Sequence, residues 1–327
     1  MPSRKSFLQT LLACGAGALT LPSAWAQARY PSRPVQVWVG FPGGGALDVA
    51  TRVLTQALAE EGIRPVVVMN KPGASATIAA AQVARDEPDG HSLLLATSSN
   101  LGIAPHLYPK LPYDPVRDFA PVAQFAVGHN VIYAGKATGV ATFRDLLGKV
   151  RASPGRLNVA SPGRGTTPHL CFEMLKARDR LFVVHVPFNG SPSALTAVAS
   201  GEVEIGIDAI GPAQAFIRAG RVVPLAQTGS RRSVALPGVP TLQELGYAGM
   251  PSGTFLGLSA PARTPESVLQ DLRGAMRRSL ARPAVVKQLA DVGFDADLVE
   301  GADFARIVAG EAKMWEGAVK YSGAAQG

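Results

Sequence analysis

The stretch VQVWVGFPGGGALD, residues 35–48, decides the fold because it joins a strand, a glycine-rich turn and a helix start. The β-branched and aromatic residues at 35–39, between Pro34 and Gly40, are typical of a buried strand. Apolar residues then recur at helical spacing, which predicts a helix over residues 46–61. A strand that leads directly into a helix predicts an α/β fold.

The turn between this strand and this helix has the features of an anion-binding site. Its three consecutive glycines leave the first N–H groups of the helix uncovered, at the positive end of the helix dipole. It contains no Lys, Arg, His, Ser or Cys, which favours binding over chemistry. The predicted ligand-binding residues are Phe41, Pro42, Gly43, Gly44, Gly45 and Asp48. Asp48 has a second interpretation, as a first-turn acid that stabilises the helix start.

A second glycine-rich turn, SPGRGTTPH at residues 161–169, follows a predicted strand at 157–160. Thr166 or Thr167 is suited to cap the next helix, and Pro168 is suited to its first position. Hydroxyls and free N–H groups at a helix start again predict anion binding, although an ordinary capped helix would look the same. The predicted ligand-binding residues are Ser161, Gly163, Arg164, Gly165, Thr166, Thr167 and His169. Arg164 could pair with a ligand carboxylate or point to solvent, and His169 could be structural.

Polar residues from two further segments are expected at the same edge of the sheet. Ser98, Ser99 and Asn100 follow a predicted strand at 92–97, and Asp208 follows one at 203–207. Ligands of open α/β sheets lie outside the carboxyl ends of the strands. We therefore predict that these residues join the ligand site, with Asp208 either orienting a loop or accepting a hydrogen bond from the ligand.

The pattern along the chain predicts two α/β lobes connected by more than one chain crossing, each a mainly parallel sheet flanked by helices, with the ligand cleft between them. The predicted strands are 35–39, 66–68, 92–97, 122–125, 129–134, 157–160, 181–186, 203–207, 222–226 and 255–260. The predicted helices are 46–61, 75–85, 143–151, 168–177, 194–200, 212–219, 265–281, 283–292 and 303–321, so only helices are expected after residue 260. The predicted divisions are a signal peptide at 1–26, a first lobe at 27–128, a second lobe at 129–252, and a return to the first lobe with C-terminal helices at 253–327.

The N-terminal residues predict export to the periplasm. Arg4 and Lys5 precede an apolar segment, and Ala24-Trp25-Ala26 has the small-x-small pattern of a cleavage site. Lys5 stands at the second basic place of a twin-arginine-like motif, so either export route fits. The residues around Cys14 also resemble a lipoprotein box. No later segment is long and apolar enough to cross a bilayer.

Composition and motifs argue against several functional classes. The net charge is +8, but the basic residues are scattered and aromatic residues make up only 6% of the chain, so we expect no nucleic-acid partner. Once a signal peptide is removed, Cys171 is the single cysteine, and the histidines lack HExxH spacing, so we expect no metal. The chain has neither a GxxxxGK[ST] nor a GxGxxG motif, so we expect no cofactor.

Although Ser161, His169 and Asp208 could be imagined as a triad, no G-x-S-x-G elbow is present. An exported hydrolase using Ser161 or Ser98 remains the alternative.

Several segments, taken in order, resemble one family. They are YPSRPVQVWVGFPGGGALD at 30–48, NKPGA at 70–74, PDG at 88–90, LYPKLPYDP at 107–115, residues 161–170, HVPFNGS at 185–191 and LPGVPT at 236–241. Together they resemble the solute receptors of tripartite tricarboxylate transporters, the Bug family. The resemblance covers nearly all of the chain after the predicted signal peptide.

The resemblance implies a monomeric, two-lobed periplasmic receptor of the type II binding-protein class, which closes on a small organic acid without catalytic turnover. The two glycine-rich turns would grip one carboxylate through N–H groups, hydroxyls and ordered water, and Asp208 matches a frequent family aspartate near the cleft. The partners would be the membrane permease subunits or, alternatively, a sensor protein. The sequence departs from the family pattern at Gly43, where proline is frequent, at Leu47, where a small hydroxyl residue is common, and at Arg164, where a small polar residue is typical. These departures leave the identity of the solute open.

Overall fold

Strands and helices alternate along most of the chain, as the sequence predicts. The computed structural model describes residues 30–251 and 253–323, so the predicted signal peptide, its cleavage after Ala26 and Cys14 lie outside the described residues. The strands are β1 (Val35–Val39), β2 (Val66–Asn70), β3 (Ser92–Thr97), β4 (Phe119–Gly135), β5 (Asn158–Ser161), β6 (Val184–Pro187), β7 (Ile205–Ala209), β8 (Val222–Gln227), β9 (Gly253–Pro261) and β10 (Asp295–Glu300). The helices are α1 (Ala46–Glu60), α2 (Thr77–Val83), α3 (Ala104–Leu107), α4 (Phe143–Ala152), α5 (Thr167–Asp179), α6 (Ser191–Ser200), α7 (Ile210–Arg218), α8 (Glu266–Leu280), α9 (Pro283–Asp291) and α10 (Gly301–Ser322).

Two sheets share the long strand β4. In the first sheet β2, β1 and β3 are parallel, and β9 lies antiparallel between β3 and β4. In the second sheet β6, β5 and β7 are parallel, and β7 pairs antiparallel with β4. Strands β8 and β10 also pair antiparallel with β4. The outer strands are therefore parallel, as predicted, whereas the strands around β4 make each sheet mixed.

The register brings the carboxyl ends of both parallel sets to the middle of β4. Thr97 at the end of β3 pairs with Leu256, which pairs with Ala126 of β4. Ala209 at the end of β7 pairs with Asn130 of β4. Because ligands of open sheets lie at the carboxyl ends of strands, this arrangement places the expected site between the two sheets.

β4 corrects one prediction. The sequence pattern gave two strands, at 122–125 and 129–134, but the structure has one strand of 17 residues. Pro121 and Gly128 interrupt the sequence pattern, yet Gly128 still pairs with Thr254 of β9. The register shifts between Pro121 and Ala123, and again between Gln124 and Ala126, so bulges absorb the irregularity. The predicted boundary between residues 128 and 129 consequently lies inside a strand.

The C-terminal part corrects a second prediction, since β10 follows α9 where only helices were expected. Asp295 pairs with Val127 and Glu300 with Ala123, so β10 lies against the first half of β4. The half-buried Ala296 and Leu298 pack against the core of the first sheet. The predicted helix at 75–85 likewise begins later, at Thr77, because residues 74–76 have positive φ angles of 47°, 55° and 67°.

The helix α10 packs against both halves of the molecule. Near its start, Phe304 makes an edge-to-face contact with Phe255 of β9 at 5.5 Å between ring centroids. Near its end, the fully buried Trp315 belongs to the core of the second sheet, together with Leu170 of α5. Burying a side chain of this size stabilises the fold by about 1.5–3 kcal/mol, so α10 helps to fix the two sheets together. Among the described residues, no helix combines the length and apolar character that a membrane span requires.

Candidate ligand-binding cleft

A cavity of about 440 Å³ lies where the carboxyl ends of the two parallel sets meet. We refer to residues 41–48 as the first turn and to residues 161–169 as the second turn. Both turns line the cavity, as do the end of β7 and the middle of β4. The predicted residues in its wall are Phe41, Pro42, Gly45, Ser99, Arg164, Gly165, Thr166, Thr167 and Asp208. The predicted residues outside its wall are Gly43, Gly44, Asp48, Ser98, Asn100, Ser161, Gly163 and His169.

The first turn is held from behind by Asp48. This buried carboxylate accepts hydrogen bonds from the Gly44 N–H at 2.9 Å, from Arg52 Nε at 2.9 Å and from Asn70 Nδ2 at 2.8 Å. Burial acts to raise the pKa of Asp48, but the hydrogen bonds from Arg52, Asn70 and Gly44 outweigh it, so the pKa lies below its usual value. The prediction that Asp48 faces the ligand is not supported by this position. Its position outside the cavity wall, with both carboxylate oxygens occupied by hydrogen bonds from Gly44, Arg52 and Asn70, favours the structural interpretation.

The second turn is held in the same way by His169. The Gly165 N–H donates to His169 Nδ1 at 3.1 Å, as the Gly44 N–H donates to Asp48. In each turn the glycine has a positive φ, 80° at Gly44 and 72° at Gly165, and the acceptor lies four residues later, at the third position of the helix. The two turns are therefore built alike, and Arg164 takes the place that Gly43 has in the first turn.

The starts of α1 and α5 are both open toward the cavity. Gly45 and Thr166 occupy the two N-cap positions, and neither makes a side-chain cap. The Thr166 hydroxyl instead donates to the Gly163 carbonyl oxygen at 2.7 Å. Helix N–H groups without a cap seek an acceptor, and the helix dipole favours a negative one. Two such ends at one cavity form a built site for an anion.

A stacked pair of histidines lies behind the second turn. The rings of His169 and His185 are 4.0 Å apart between centroids, and Ser161 Oγ is 2.7 Å from His185 Nε2. Burial lowers the pKa of His169 to about 3 and that of His185 to about 4, with the positive charges of Lys176 and Arg164 adding to the effect. Both rings are therefore neutral near neutral pH. Ser161 is fully buried and outside the cavity wall, so this Ser–His contact supports the turn and does not face the cleft.

His169, Glu173 and His185 are close enough to hold a metal ion, within 4.8 Å of one another. Their existing partners disfavour one. Because His169 Nδ1 accepts from the Gly165 N–H, its proton belongs on Nε2, the atom that faces Glu173 at 3.9 Å. Lys176 Nζ already lies 2.8 Å from Glu173 Oε1. A metal ion would have to displace the Nε2 proton of His169 and the ion pair between Lys176 and Glu173.

Of the predicted residues Ser98, Ser99 and Asn100, only Ser99 lies in the cavity wall. Asn100 Oδ1 accepts from the Thr97 N–H at 2.8 Å, and its amide donates to the Leu95 carbonyl oxygen at 3.0 Å. Ser98 Oγ accepts from the Phe255 N–H at 3.3 Å. Ser98 and Asn100 therefore stabilise the end of β3, and their predicted contact with the ligand is not supported by these positions.

Asp208 is the fully buried acid in the cavity wall. Its Oδ1 accepts from Ser191 Oγ at 2.7 Å and from the Ala209 N–H at 2.8 Å. Its Oδ2 is buried without any hydrogen-bond partner. Burial raises the pKa of Asp208 to about 7, although its two hydrogen bonds act in the opposite direction.

Sequence reasoning missed wall residues that come from distant segments. Polar additions are Ser75, Asn130, Ser191 and Thr254, and apolar additions include Val292 and Phe294. Ser75 has a positive φ directly after the NKPGA segment, so the family-like motif was its one sequence signal. Ser191 ends the HVPFNGS segment and so had a similar signal, whereas the other positions carry no local pattern that would link them to the turns.

The chain is similar to known proteins over most of its length. The model of the tripartite tricarboxylate transporter family receptor matches residues 50–323. The UPF0065 protein in the tcbD-tcbE intergenic region of Pseudomonas sp. (strain P51) is 34% identical over 302 residues, covering 91% of this chain and 90% of that protein. BugT of Bordetella pertussis is 31% identical over 296 residues, covering 90% of this chain and 91% of BugT.

Solved structures match over a similar extent. Rpa4515 of R. palustris with adipate has a TM-score of 0.77 at 29% identity, covering 90% of this chain and 98% of that one. MatC of Rhodopseudomonas palustris with bound malate has a TM-score of 0.71 at 32% identity, covering 89% and 100%. The periplasmic binding protein BugD has a TM-score of 0.74 at 29% identity, covering 91% and 100%. This chain therefore has the two-lobed fold of periplasmic binding proteins.

Proposed function

The chain belongs to the tripartite tricarboxylate transporter receptor family, and from this premise we propose that it captures a small organic carboxylate between its lobes and delivers it to a membrane permease. One observation carries the proposal: the uncapped starts of α1 and α5 meet at a single cavity. A carboxylate placed there would accept hydrogen bonds from both lobes at once. The ligand would thereby hold the lobes together.

The chemistry of the cavity fits an anion better than a cation. Both helix starts offer N–H donors, and Thr167 adds a hydroxyl, whereas the Thr166 hydroxyl already donates to the Gly163 carbonyl oxygen. Arg164 is exposed at the rim and carries a positive charge. The relatives with bound adipate and malate, both carboxylates, support the same ligand class for this chain.

We further propose export, with cleavage near Ala26, and a periplasmic location, which the periplasmic relative BugD supports. The proposed lobes are residues 27–128 with 253–327, and residues 129–252. The sheets support this division, because β9 and β10 return to the first half of β4. The middle of β4 would then serve as one crossing between the lobes.

We propose that binding proceeds without turnover. A serine nucleophile needs a base and access to substrate. Ser98 and Ser161 are both fully buried outside the cavity wall, and the pKa of His185, at about 4, makes it a weak base near neutral pH. Ester and amide hydrolysis by purified protein, abolished by Ser161→Ala or Ser98→Ala, would overturn this part.

A thermal-shift screen tests carboxylate capture, because a ligand that binds only the folded state raises the melting temperature. The panel contains pentanoate, glutarate, adipate, malate, citrate, benzoate and 5-aminopentanoate. We expect a concentration-dependent shift with at least one acid. If no acid of the panel shifts the melting temperature of folded protein, the proposal is contradicted.

Two substitutions test the helix starts themselves. Gly45→Asp and Thr166→Asp place a capping carboxylate at each N-cap, where it stabilises the helix and occupies the anion site. Each is expected to abolish the ligand-induced shift while keeping the melting temperature of the free protein. Gly238→Asp, at an exposed position where an added Cβ meets nothing within 4 Å, adds the same charge as a control and is expected to leave binding unchanged.

A further inference from the structure

Asp208 has an unequal hydrogen-bond pattern that the capture of a carboxylate by the two turns does not explain. Oδ1 takes two donors, from Ser191 and from the Ala209 N–H, whereas Oδ2 takes none. The residue is fully buried and lies in the cavity wall. The wall of the same cavity also contains the apolar residues Leu47, Val292 and Phe294.

A carboxylate in this position would keep a negative oxygen buried without a donor, which is costly. A carboxylic acid fits the same contacts. Its carbonyl oxygen, Oδ1, accepts two hydrogen bonds, and its hydroxyl, Oδ2–H, is left to donate. The bound acid proposed above would supply the missing acceptor.

We infer that Asp208 binds the ligand in its protonated form, donating a hydrogen bond from Oδ2 to an oxygen of the bound acid, so that ligand binding is coupled to uptake of one proton. This inference rests on the proposed capture of a carboxylate. It restricts the ligand class to acids that present an oxygen to Asp208, and it disfavours acids that present an ammonium group there.

Asp208 is the group in the cavity wall whose charge changes near neutral pH. Its titratable and charged neighbours lie on the strands and helices that pack against it. Tyr133 on β4 interacts electrostatically with Asp208, and burial holds the pKa of Tyr133 far above its usual value. The rim of the cavity carries Arg164, and β5 and α6 carry no titratable side chain. The remaining titratable or charged side chains on the elements packed against β7 are His129 on β4, Arg218 on α7, and His169, Cys171, Glu173, Lys176, Arg178 and Asp179 on α5.

The direction of the pH effect follows from linkage. The pKa of Asp208 is about 7 in the free protein, and a bound anion raises it because the anion disfavours a second negative charge. The complex then holds more protons than the free protein, so affinity falls as pH rises through about 7 toward the pKa of the complex. The dissociation constant is expected to rise by up to about tenfold per pH unit in that range.

Isothermal titration calorimetry tests the inference, with the panel acid that gives the largest thermal shift as the probe. Titrations between about pH 6.5 and about pH 8.5, in buffers of different ionisation enthalpy, count the protons taken up. Over this range His169 and His185 are neutral, with pKa values of about 3 and about 4, so they do not contribute. We expect uptake approaching one proton at the high end of the range. We also expect 5-aminopentanoate to bind at least about tenfold more weakly than glutarate.

Two variants and one control assign the proton. Asp208→Asn keeps a donor on the same framework, so it is expected to retain affinity within about threefold and to lose the pH dependence. Asp208→Leu has no donor and is expected to bind about tenfold more weakly at pH near 6.5. Glu311→Gln is the control, because burial also raises the pKa of Glu311 to about 7 but Glu311 lines a separate cavity. It is expected to keep the pH dependence of binding.

Several results would overturn the inference. These are release of a proton on binding, tighter binding of 5-aminopentanoate than of glutarate, loss of affinity in Asp208→Asn as large as in Asp208→Leu, or pH dependence that disappears with Glu311→Gln. Binding of a panel acid without proton uptake would remove this role of Asp208 and leave carboxylate capture standing. If no acid of the panel binds, carboxylate capture itself is contradicted.

Discussion

The first turn is anchored by an ionised acid and the second turn by a neutral imidazole. In both, a glycine N–H with positive φ donates to a side chain four residues later, at the third helical position. Asp48 is further held by Arg52 and Asn70, while His169 stacks on His185. The same backbone shape is thus obtained with a negative charge behind the first turn and an uncharged ring behind the second.

This difference shows what the cleft requires. A side chain that holds a turn from behind leaves the N–H groups of the helix start free for a ligand. A negative charge is tolerated behind the first turn because Arg52 pairs with it. Behind the second turn no compensating acid is needed, since the rings are uncharged near neutral pH.

Asp48→Asn breaks the first turn and has the largest expected effect. The asparagine presents a donor where Asn70 and Arg52 also donate, so several hydrogen bonds to a buried charge are lost together. The free energy of unfolding should fall by about 3 kcal/mol, measured by urea denaturation, and the ligand-induced thermal shift should disappear. Asp145→Asn, at the exposed start of α4, removes a helix-start carboxylate as a control and should change stability far less. Equal losses in both variants would contradict the anchoring role.

His169→Phe breaks the second turn, with an expected loss of about 2 kcal/mol in the free energy of unfolding, because the Gly165 N–H is left without an acceptor. Ligand affinity should fall as well. A variant as stable as the parent chain would show that the imidazole does not hold the turn.

The pH dependence of stability sharpens the contrast. The folded pKa of His169, about 3, lies below its unfolded value, so its contribution is complete above about pH 6.5 and is lost as pH falls toward 3. His169→Phe should therefore flatten the stability profile in this window. The pKa of Asp48 is also lowered, but from a carboxyl value, so Asp48→Asn should flatten the profile only below about pH 4. Denaturation curves across this range separate the two.

Arg164→Ala tests the position at which the two turns differ, since Gly43 is its counterpart. If the guanidinium holds a second carboxylate, glutarate binding should weaken by about 1.5 kcal/mol while pentanoate binding is unchanged. Calorimetry with both acids makes this comparison, and the stability of the free protein should not change. An unaltered dissociation constant for glutarate would assign Arg164 to solvent.

Gly211→Ala tests whether the turns must come together. Gly211 is the second residue of α7. A Cβ there would lie 2.8 Å from the Val292 carbonyl oxygen, so the substitution should hold the two halves of the molecule slightly apart. Affinity should weaken by about 1 kcal/mol, the smallest of these effects. Gly238→Ala, with open space around it, is the matched control. Unchanged affinity would mean that the contact is not needed for closure.

Much of the fold could be predicted because local patterns and long-range pairing agree. β1 and the start of α1 were predicted correctly, since β-branched residues and helical spacing mark them. β10 was missed although Ala296 and Leu298 alternate with acids, because a strong helical pattern follows directly. The start of β4 was predicted too late at Pro121 and the strand was divided near Gly128, because both residues normally interrupt strands, and pairing with β9 overrides them.

The candidate site could be located from sequence but not resolved atom by atom. The two turns were identified by their glycines, but the sequence does not show which side chains accept hydrogen bonds from their own loop. Asp48 and His169 at the third helical position fold onto their own loops, which depends on φ angles that only the structure gives. Asn130 and Thr254 reach the cleft through sheet register, and the unsatisfied oxygen of Asp208 exists only after burial.

The place of β9 between β3 and β4 also bears on the order in which the molecule can fold. During synthesis from the N-terminus, every strand of the second sheet is available once residue 227 has emerged. The first sheet cannot be completed until β9 and β10 arrive, although its first strands are made earliest. β3 must therefore wait with the edge that later meets β9 unpaired, and an unpaired edge invites association with other chains. A nascent chain halted between residues 227 and 253 should be the species most in need of a chaperone.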